Sequence, residues 1–369
     1  MYVWIKTKVI IMKQNIYLFS DSVIKRKDNT LVLERICKEQ TDDDFEEDKQ
    51  LNFEYLLGED LLMPAGDKKY IPVESVESIL SFGSIHFNSR FLYFLSQNQI
   101  PVHVFSYYGN YAGSFLPAER YISGQSLIKQ VIYFNHPLKR LEIAKQIIIA
   151  SIANETANLK YYENRNGRVK EFIEQLEEII MYANTAQSVD ELMGYEGAAK
   201  KIYYSSWNSI FKYPIEFWGR MINPPNNLIN ALISYGNMVV YSTCLNEIYH
   251  TRLYPEVGFV HQPGESKLSL SYDIADIFKP LLTDRAIFKM INKNIISEKD
   301  AFIKNGRCIL KKTARQAFVE EMNNKLMTKI QLDGKEVRYS YRRIIREECY
   351  KILKHINEEE KYKAYITKW

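Results

Sequence analysis

Apolar residues come in short, strand-like runs through the first third of the chain and at helical spacing after it. Asn15–Asp21, Thr30–Arg35, Tyr70–Val73, Ser78–Phe82 and Val102–Tyr107 are rich in Ile, Val, Tyr and Phe and are bounded by turn residues, which predicts five strands. One helix interrupts them at Ser89–Gln97, with an apolar stripe of Phe91, Leu92, Phe94 and Leu95. Gly109-Asn110 and Gly113 predict a hairpin leading to Pro117. Pro137 opens a long amphipathic helix to about Tyr162 on Leu138, Leu141, Ile148 and Ile152. Asn166-Gly167 ends it, and Arg168–Ala183 forms a second helix. Ser188-x-x-Glu191 has the spacing of a capping box and starts a third helix, to about Ile210. Pro224-Pro225-Asn226 introduces a fourth, Asn227–Tyr249, whose apolar and small residues mark it as central. Further helices start at Asp273, Thr283, Thr313 and Arg338. The expected fold class is α+β, a small N-terminal β-rich domain followed by a larger all-α one. The expected boundaries are an extension at 1–12 (Met12 offers an alternative start), a β-rich domain at 13–110, a linker at 111–125 and a helical domain at 126–369.

Length agrees with two domains, since 369 residues exceed one ordinary core. The net charge of +4 hides an asymmetry. Seven acids and no base occupy 39–48, within an acidic stretch at about 36–58 read as an exposed loop, while Lys and Arg are dense from Arg285 onward. A basic body with one acidic insert is compatible with nucleic-acid binding without demanding it. The 27 tyrosines fill the core with paired hydroxyls or stack on bases. Four scattered cysteines, with no Cys-x-x-Cys, argue against disulfides and structural zinc and fit a reducing cytoplasm. No run approaches 18 apolar residues, so no membrane span is expected, and residues 1–11 lack signal-peptide features. No phosphate-cradling glycine loop, Ser/His/Asp arrangement or dinucleotide fingerprint appears, which leaves nucleotide hydrolysis and redox chemistry little support.

Three places in the helical part carry candidate chemistry. Glu196 lies in Gly194-Tyr195-Glu196-Gly197, and two glycines within a helix cost about 1 kcal/mol each relative to alanine. They leave room for a bulky backbone such as DNA, although on local evidence Glu196, at i−4 from Lys200, reads first as a solvated ion pair. His261 ends an apolar Gly-Phe-Val run, before a Pro263-Gly264 turn. Asp273 and Asp276 share one helix face, where acids of a first turn also serve the macrodipole. Should they converge, an imidazole and carboxylates suit Mg²⁺ or Mn²⁺ with positions left for water and a phosphate oxygen.

These residues, in this order and spacing, resemble the CRISPR-associated integrase of the adaptation module, the CRISPR-associated protein one family. The likeness runs from about Asn15 over nearly the whole chain: Ile71-Pro72-Val73-Glu74-Ser75-Val76-Glu77-Ser78-Ile79, Phe82-Gly83-Ser84-Ile85 and Gln99-Ile100-Pro101-Val102 in the β-rich part. Phe217-Trp218-Gly219-Arg220, Pro224-Pro225, Asn230-Ala231-Leu232-Ile233-Ser234-Tyr235-Gly236, Gly258-Phe-Val-His261 and Asp273-Ile-Ala-Asp276 follow in the helical part. The resemblance implies metal ligation and catalysis by Glu196, His261 and Asp276, with Asp273 and Tyr203 assisting and Lys200, Lys201 and Arg220 touching DNA phosphates. It implies Mg²⁺ or Mn²⁺ as cofactor, and transesterification in which 3′-hydroxyl ends of a captured duplex attack the CRISPR repeat. It also implies a cytoplasmic homodimer formed through the β-rich domain, flanking a dimer of the small CRISPR-associated protein two partner. Departures are the long acidic insert and Asn223, where many members carry a base. Two alternatives stay open: a stand-alone metal-dependent nuclease acting on branched or single-stranded repair intermediates, and a non-catalytic DNA-binding scaffold.

Overall fold

The computed structural model describes residues 13–368 except 20, 36–67, 107–110, 118–122, 164–166, 214, 216, 265–267, 333 and 335. The acidic run at 39–48, the tip of the expected hairpin and the N-terminal extension lie outside the described residues. Two compact units divide between Arg120 and Tyr121.

The smaller unit holds two four-stranded sheets. One runs β1 (Gln14–Leu18), β5 (Val76–Ser81), β7 (Val102–Phe105), β8 (Tyr111–Phe115), parallel except for the antiparallel β7–β8 pair. The other runs β4 (Lys68–Pro72), β3 (Thr30–Arg35), β2 (Ser22–Lys27), β6 (Ile85–His86), antiparallel except for β2–β6. Helix α1 (Ser89–Gln97) starts where Asn88 Oδ1 accepts the Phe91 N–H at 3.0 Å. Its Phe91, Phe94 and Leu95 pack with Leu31, Ile79 and Val102 in one apolar core. All five expected strands are present, with ends shifted by a few residues. Strand β2 had no expectation, because its first three residues are buried and Lys25, Arg26 and Lys27 are exposed, so it does not alternate. Glu34 on β3, also buried, is held ionised below the usual carboxylate range by Lys68 at 3.0 Å, against its burial, with Lys25 at 3.3 Å adding to the effect. The expected linker at 111–125 contains β8 and the first residues of α2 (Gly124–Asn135), a helix without a sequence expectation.

The larger unit is mostly helical, with two small hairpins, β9 (Ala301–Lys304) with β10 (Arg307–Leu310) and β11 (Lys329–Ile330) with β12 (Tyr339–Ser340). Its long helices are α3 (Pro137–Glu163), α4 (Lys170–Thr185), α5 (Val189–Ser206), α6 (Leu228–Tyr249), α9 (Lys312–Met327) and α10 (Tyr341–Ile356). At the start of α5, Ser188 Oγ accepts the Glu191 N–H at 3.1 Å. The Glu191 carboxylate returns to the Gln187 N–H, one residue before the cap, so only half of the expected box forms. Helix α6 is long and apolar enough to cross a membrane by length and composition alone, and 78% of its most apolar window is buried inside the protein. It is the central helix of this unit. Gly236 on α6 permits a close approach, since a Cβ there would lie 2.5 Å from Thr283 Cγ2 and 3.1 Å from Phe318 Cε1.

Helix α7 (Ser269–Lys279) continues through a π-helical turn, Pro280–Asp284, into α8 (Arg285–Asn292). Pro280 has no N–H for the Asp276 carbonyl, and the turn frees further carbonyls. Side chains of α3 satisfy them: Ser151 Oγ donates to the Asp276 carbonyl at 2.9 Å, Asn154 to Ile277 at 2.9 Å and Asn158 to Pro280 at 2.7 Å. These residues, with Glu155, form one polar stripe at i, i+3, i+4, i+7 on α3. The three described cysteines, Cys244, Cys308 and Cys349, are free and buried.

Candidate metal centre

The centre is assembled on α7, α5 and α3 and on the loop that leads into α7. The backbone N–H groups of Phe259, Val260 and His261 all donate to the carboxylate of Asp273, the last two at 3.0 and 2.9 Å. His261 Nδ1 lies 2.8 Å from the same carboxylate. Arg140 on α3 holds the other side of the loop, donating to the carbonyls of Phe259 (2.7 Å) and Val260 (3.1 Å). Gly258 is needed for this fold-back, because a Cβ on it would lie 2.7 Å from Asp273 Oδ2. The macrodipole explanation of the two acids fails: α7 starts at Ser269, and Asp273 and Asp276 are both buried within it.

Asp273 thus fixes the imidazole by accepting at Nδ1, which directs Nε2 away as the atom left for another partner. Burial works against charge on His261, but the hydrogen bond to Asp273 and the Asp276 carboxylate outweigh it and hold its pKa above the ordinary value. Asp276 Oδ2 lies 4.0 Å from His261 Nδ1, and Lys279 Nζ meets Asp276 Oδ1 at 2.5 Å. Burial alone would raise the Asp276 pKa; Lys279, Lys200 and His261 reverse this and lower it.

Lys200 of α5 reaches Glu155 Oε1 of α3 at 2.8 Å and Glu196 Oε1 at 3.4 Å. The i,i+4 pair expected for a solvated glutamate therefore forms, with a second, buried carboxylate on the same ammonium. Burial disfavours charge on Lys200, but Glu155, Glu196 and Asp276 together hold it well above the ordinary lysine value. Lys200 is the common neighbour through which Glu196 and Asp276 meet. Among the described residues no three His, Cys, Asp or Glu side chains stand close enough together to hold a metal ion as placed. Glu196 and Asp276 each face a lysine instead. The donor set nevertheless fits a divalent cation in kind: a carboxylate on α5, a carboxylate on α7 and an imidazole with Nε2 available.

Tyr203 is buried, with its hydroxyl bonded to Asn158 at 3.0 Å and to Asp284, so it packs beneath the site. Arg220 is turned inward, donating to Met221 O, to Asn230 and, at 2.9 Å, to Ser234 Oγ. Lys201 is exposed. Glu155, Lys279, Arg140 and Asp284 had no sequence expectation. The signal for Glu155 was the polar stripe Ser151, Asn154, Glu155, Asn158 among the buried positions of α3. Lys279 was readable as the i+3 partner of Asp276. Asp284 is buried beside this cluster, and burial, with the Glu155 charge adding, pushes its carboxyl up to about 7.

A β-rich unit preceding a mostly helical one is the architecture of solved Cas1 proteins. The Cas1 protein TM1797 of Thermotoga maritima superposes with a TM-score of 0.76 at 32% identity, covering 95% of this chain and 100% of that one. A casposase bound to integration product shares the fold, with a TM-score of 0.78 at 18% identity over 97% of this chain and 96% of that one. The CRISPR-associated endonuclease Cas1 of Fusobacterium nucleatum subsp. nucleatum is 39% identical over 97% of this chain and 98% of its own length. The family described as CRISPR associated protein Cas1 matches residues 16–324, and the chain belongs to it. It is accordingly a member of a family of CRISPR-associated endonucleases.

Proposed function

We propose that the chain is a divalent-metal-dependent DNA integrase and endonuclease of CRISPR adaptation, joining 3′-hydroxyl ends of captured duplex DNA to the repeat array. The observation that carries the reading is the histidine held by Asp273 at 4.0 Å from Asp276, with Lys200 feeling the charges of both Asp276 and Glu196. Glu196, Asp276 and His261 Nε2 would hold Mg²⁺ or Mn²⁺. Bound there, such an ion supplies positive charge to the phosphodiester and lowers the proton affinity of an attacking hydroxyl. Asp273 keeps the imidazole in one tautomer and one orientation, and Arg140 keeps the loop in place. Lys279 neutralises Asp276 and lies 4.4 Å over the Tyr241 ring, which limits where its ammonium can go. Lys201, exposed beyond Glu196 on α5, is the DNA contact this reading keeps; Arg220 acts in it by securing the start of α6. The same reading makes the protein a cytoplasmic homodimer, joined through its β-rich unit and working with a CRISPR-associated protein two partner.

The test supplies the protein, its small partner, a duplex with free 3′ ends and a repeat-bearing plasmid, with Mg²⁺ or Mn²⁺. Joined strands are expected with the wild type and absent with Glu196→Ala, with His261→Ala or in chelator. Products that are only shortened would favour the stand-alone nuclease. Joining that survives either substitution would refute the assignment.

A further inference from the structure

Glu155 projects from α3 toward Lys200, is 2% exposed, and its Oε2 has no hydrogen-bond partner among the described residues. Burial, with the Glu196 and Asp276 charges adding, raises its carboxyl above the ordinary value, and Lys200 is the cation that acts against them. A buried carboxylate that loses its only cation is strongly destabilising, so this pair holds more tightly than a surface one. Glu196 is 25% exposed at its side chain and stands 3.4 Å from the same ammonium, against 2.8 Å for Glu155. The two glutamates therefore share one lysine unequally, and the shorter contact belongs to the residue that is not a proposed ligand.

An ammonium 3.4 Å from Glu196 Oε1 competes with a divalent cation for that oxygen and repels its charge. Glu155 offers Lys200 an alternative partner on another helix. We propose that Glu155 is a positioning residue: it draws Lys200 off Glu196 and thereby sets how readily a divalent cation is accepted at Glu196. The inference rests on the metal-site reading given above. Neutralising Glu155 leaves Lys200 to Glu196 alone and weakens the cation. Removing the ammonium has the opposite effect, and a larger one where Glu155 no longer restrains it.

The test is direct Mn²⁺ binding by calorimetry, with electron paramagnetic resonance as a second readout, on full-length wild type, Glu155→Gln, Lys200→Met and the double variant. Circular dichroism and thermal melting establish that each is folded. Glu155→Gln is expected to weaken Mn²⁺ about tenfold, and Lys200→Met to tighten it about threefold in the wild-type background and by about tenfold or more in the Glu155→Gln background. Unequal gains are what competition requires; two charges acting independently through space give equal ones. Equal gains, or a Glu155→Gln protein that binds as wild type, overturn the inference. If Glu155→Gln does not fold, Glu155→Asp keeps the charge and withdraws it from Lys200; it is expected to weaken Mn²⁺ also, and unchanged binding overturns the inference. Glu196→Gln separates this from the parent reading: a wild type that binds no Mn²⁺, or a Glu196→Gln protein that binds it normally, refutes the metal site itself.

Discussion

Asp273 accepts from three backbone N–H groups and from His261 Nδ1, so replacing it acts on the histidine from beneath. In Asp273→Asn one carboxylate oxygen becomes a donor facing other donors, which costs on the order of 2–4 kcal/mol of stability. The rate of strand cleavage or joining should fall about 100-fold or more, because an imidazole displaced by an ångström is no longer aligned. DNA affinity, measured separately, should stay within a few fold; a variant retaining the wild-type rate would disprove the positioning role. Asp284 gives a pH signature. Its folded pKa of about 7 lies above the value of about 4 expected when unfolded. The folded state therefore binds the extra proton between those values, and stability falls as pH rises from about 4 to 7. Asp284→Asn removes this dependence. Melting temperatures of variant and wild type should diverge in the variant's favour from about pH 4 to 7 and then run parallel; a constant offset over that range would show that Asp284 is ionised throughout. At this scale the sequence offered His261, Glu196 and the Asp273/Asp276 spacing as candidates, and only the family resemblance set them apart from an ion-paired surface acid, a structural histidine and helix-start acids. The division of labour between the two acids did not show, because it depends on a loop folding back over α7.

Among the elements, α5 and α6 make opposite uses of glycine. A Cβ at Gly194 or Gly197 would meet nothing within 4 Å, so packing does not require either glycine. Alanine at each should raise stability by about 1 kcal/mol through helix propensity alone. On the proposed function the open face beside Glu196 admits a DNA backbone, and the doubly substituted protein should be more stable yet bind duplex DNA several-fold more weakly. Unchanged DNA affinity would assign the glycines no function. Gly236 has no such space: Gly236→Ala drives a methyl into Thr283 and Phe318 and should destabilise by about 1–3 kcal/mol in a denaturant titration. Helices α3 and α6 were legible because a proline or an Asn cap opens each and apolar spacing carries it for many turns. The π-helical turn after α7 was not, since Pro280 reads as a helix stop and the α3 side chains that donate to its freed carbonyls lie far away in sequence. Strand β2 was missed for the complementary reason: Lys25, Arg26 and Lys27 erase its alternation, while pairing with β3 and β6 holds it.

At the scale of the whole chain, every proposed ligand and every residue that positions one lies in the larger unit, beyond Tyr121. The two units can therefore be told apart by their response to cation. An ion that binds only the folded site stabilises it by about 2.7 kcal/mol at a concentration 100 times its dissociation constant. For a unit of this size about 1 kcal/mol moves the transition by roughly 2–4 °C, so Mn²⁺ should raise the melting of the helical unit by about 5–10 °C. None of the proposed ligands lies in the β-rich unit, and a transition assigned to it should not move. Two transitions followed by calorimetry, with and without Mn²⁺ and then with chelator, give the comparison within one sample. Chelator should return the helical transition to its starting point, and Glu196→Gln and His261→Ala should abolish the shift while leaving the metal-free melting close to wild type, since both side chains are partly exposed. An equal Mn²⁺ shift in Glu196→Gln would place the cation elsewhere on the chain, and a shift confined to the β-rich unit would move the site out of the helical unit altogether.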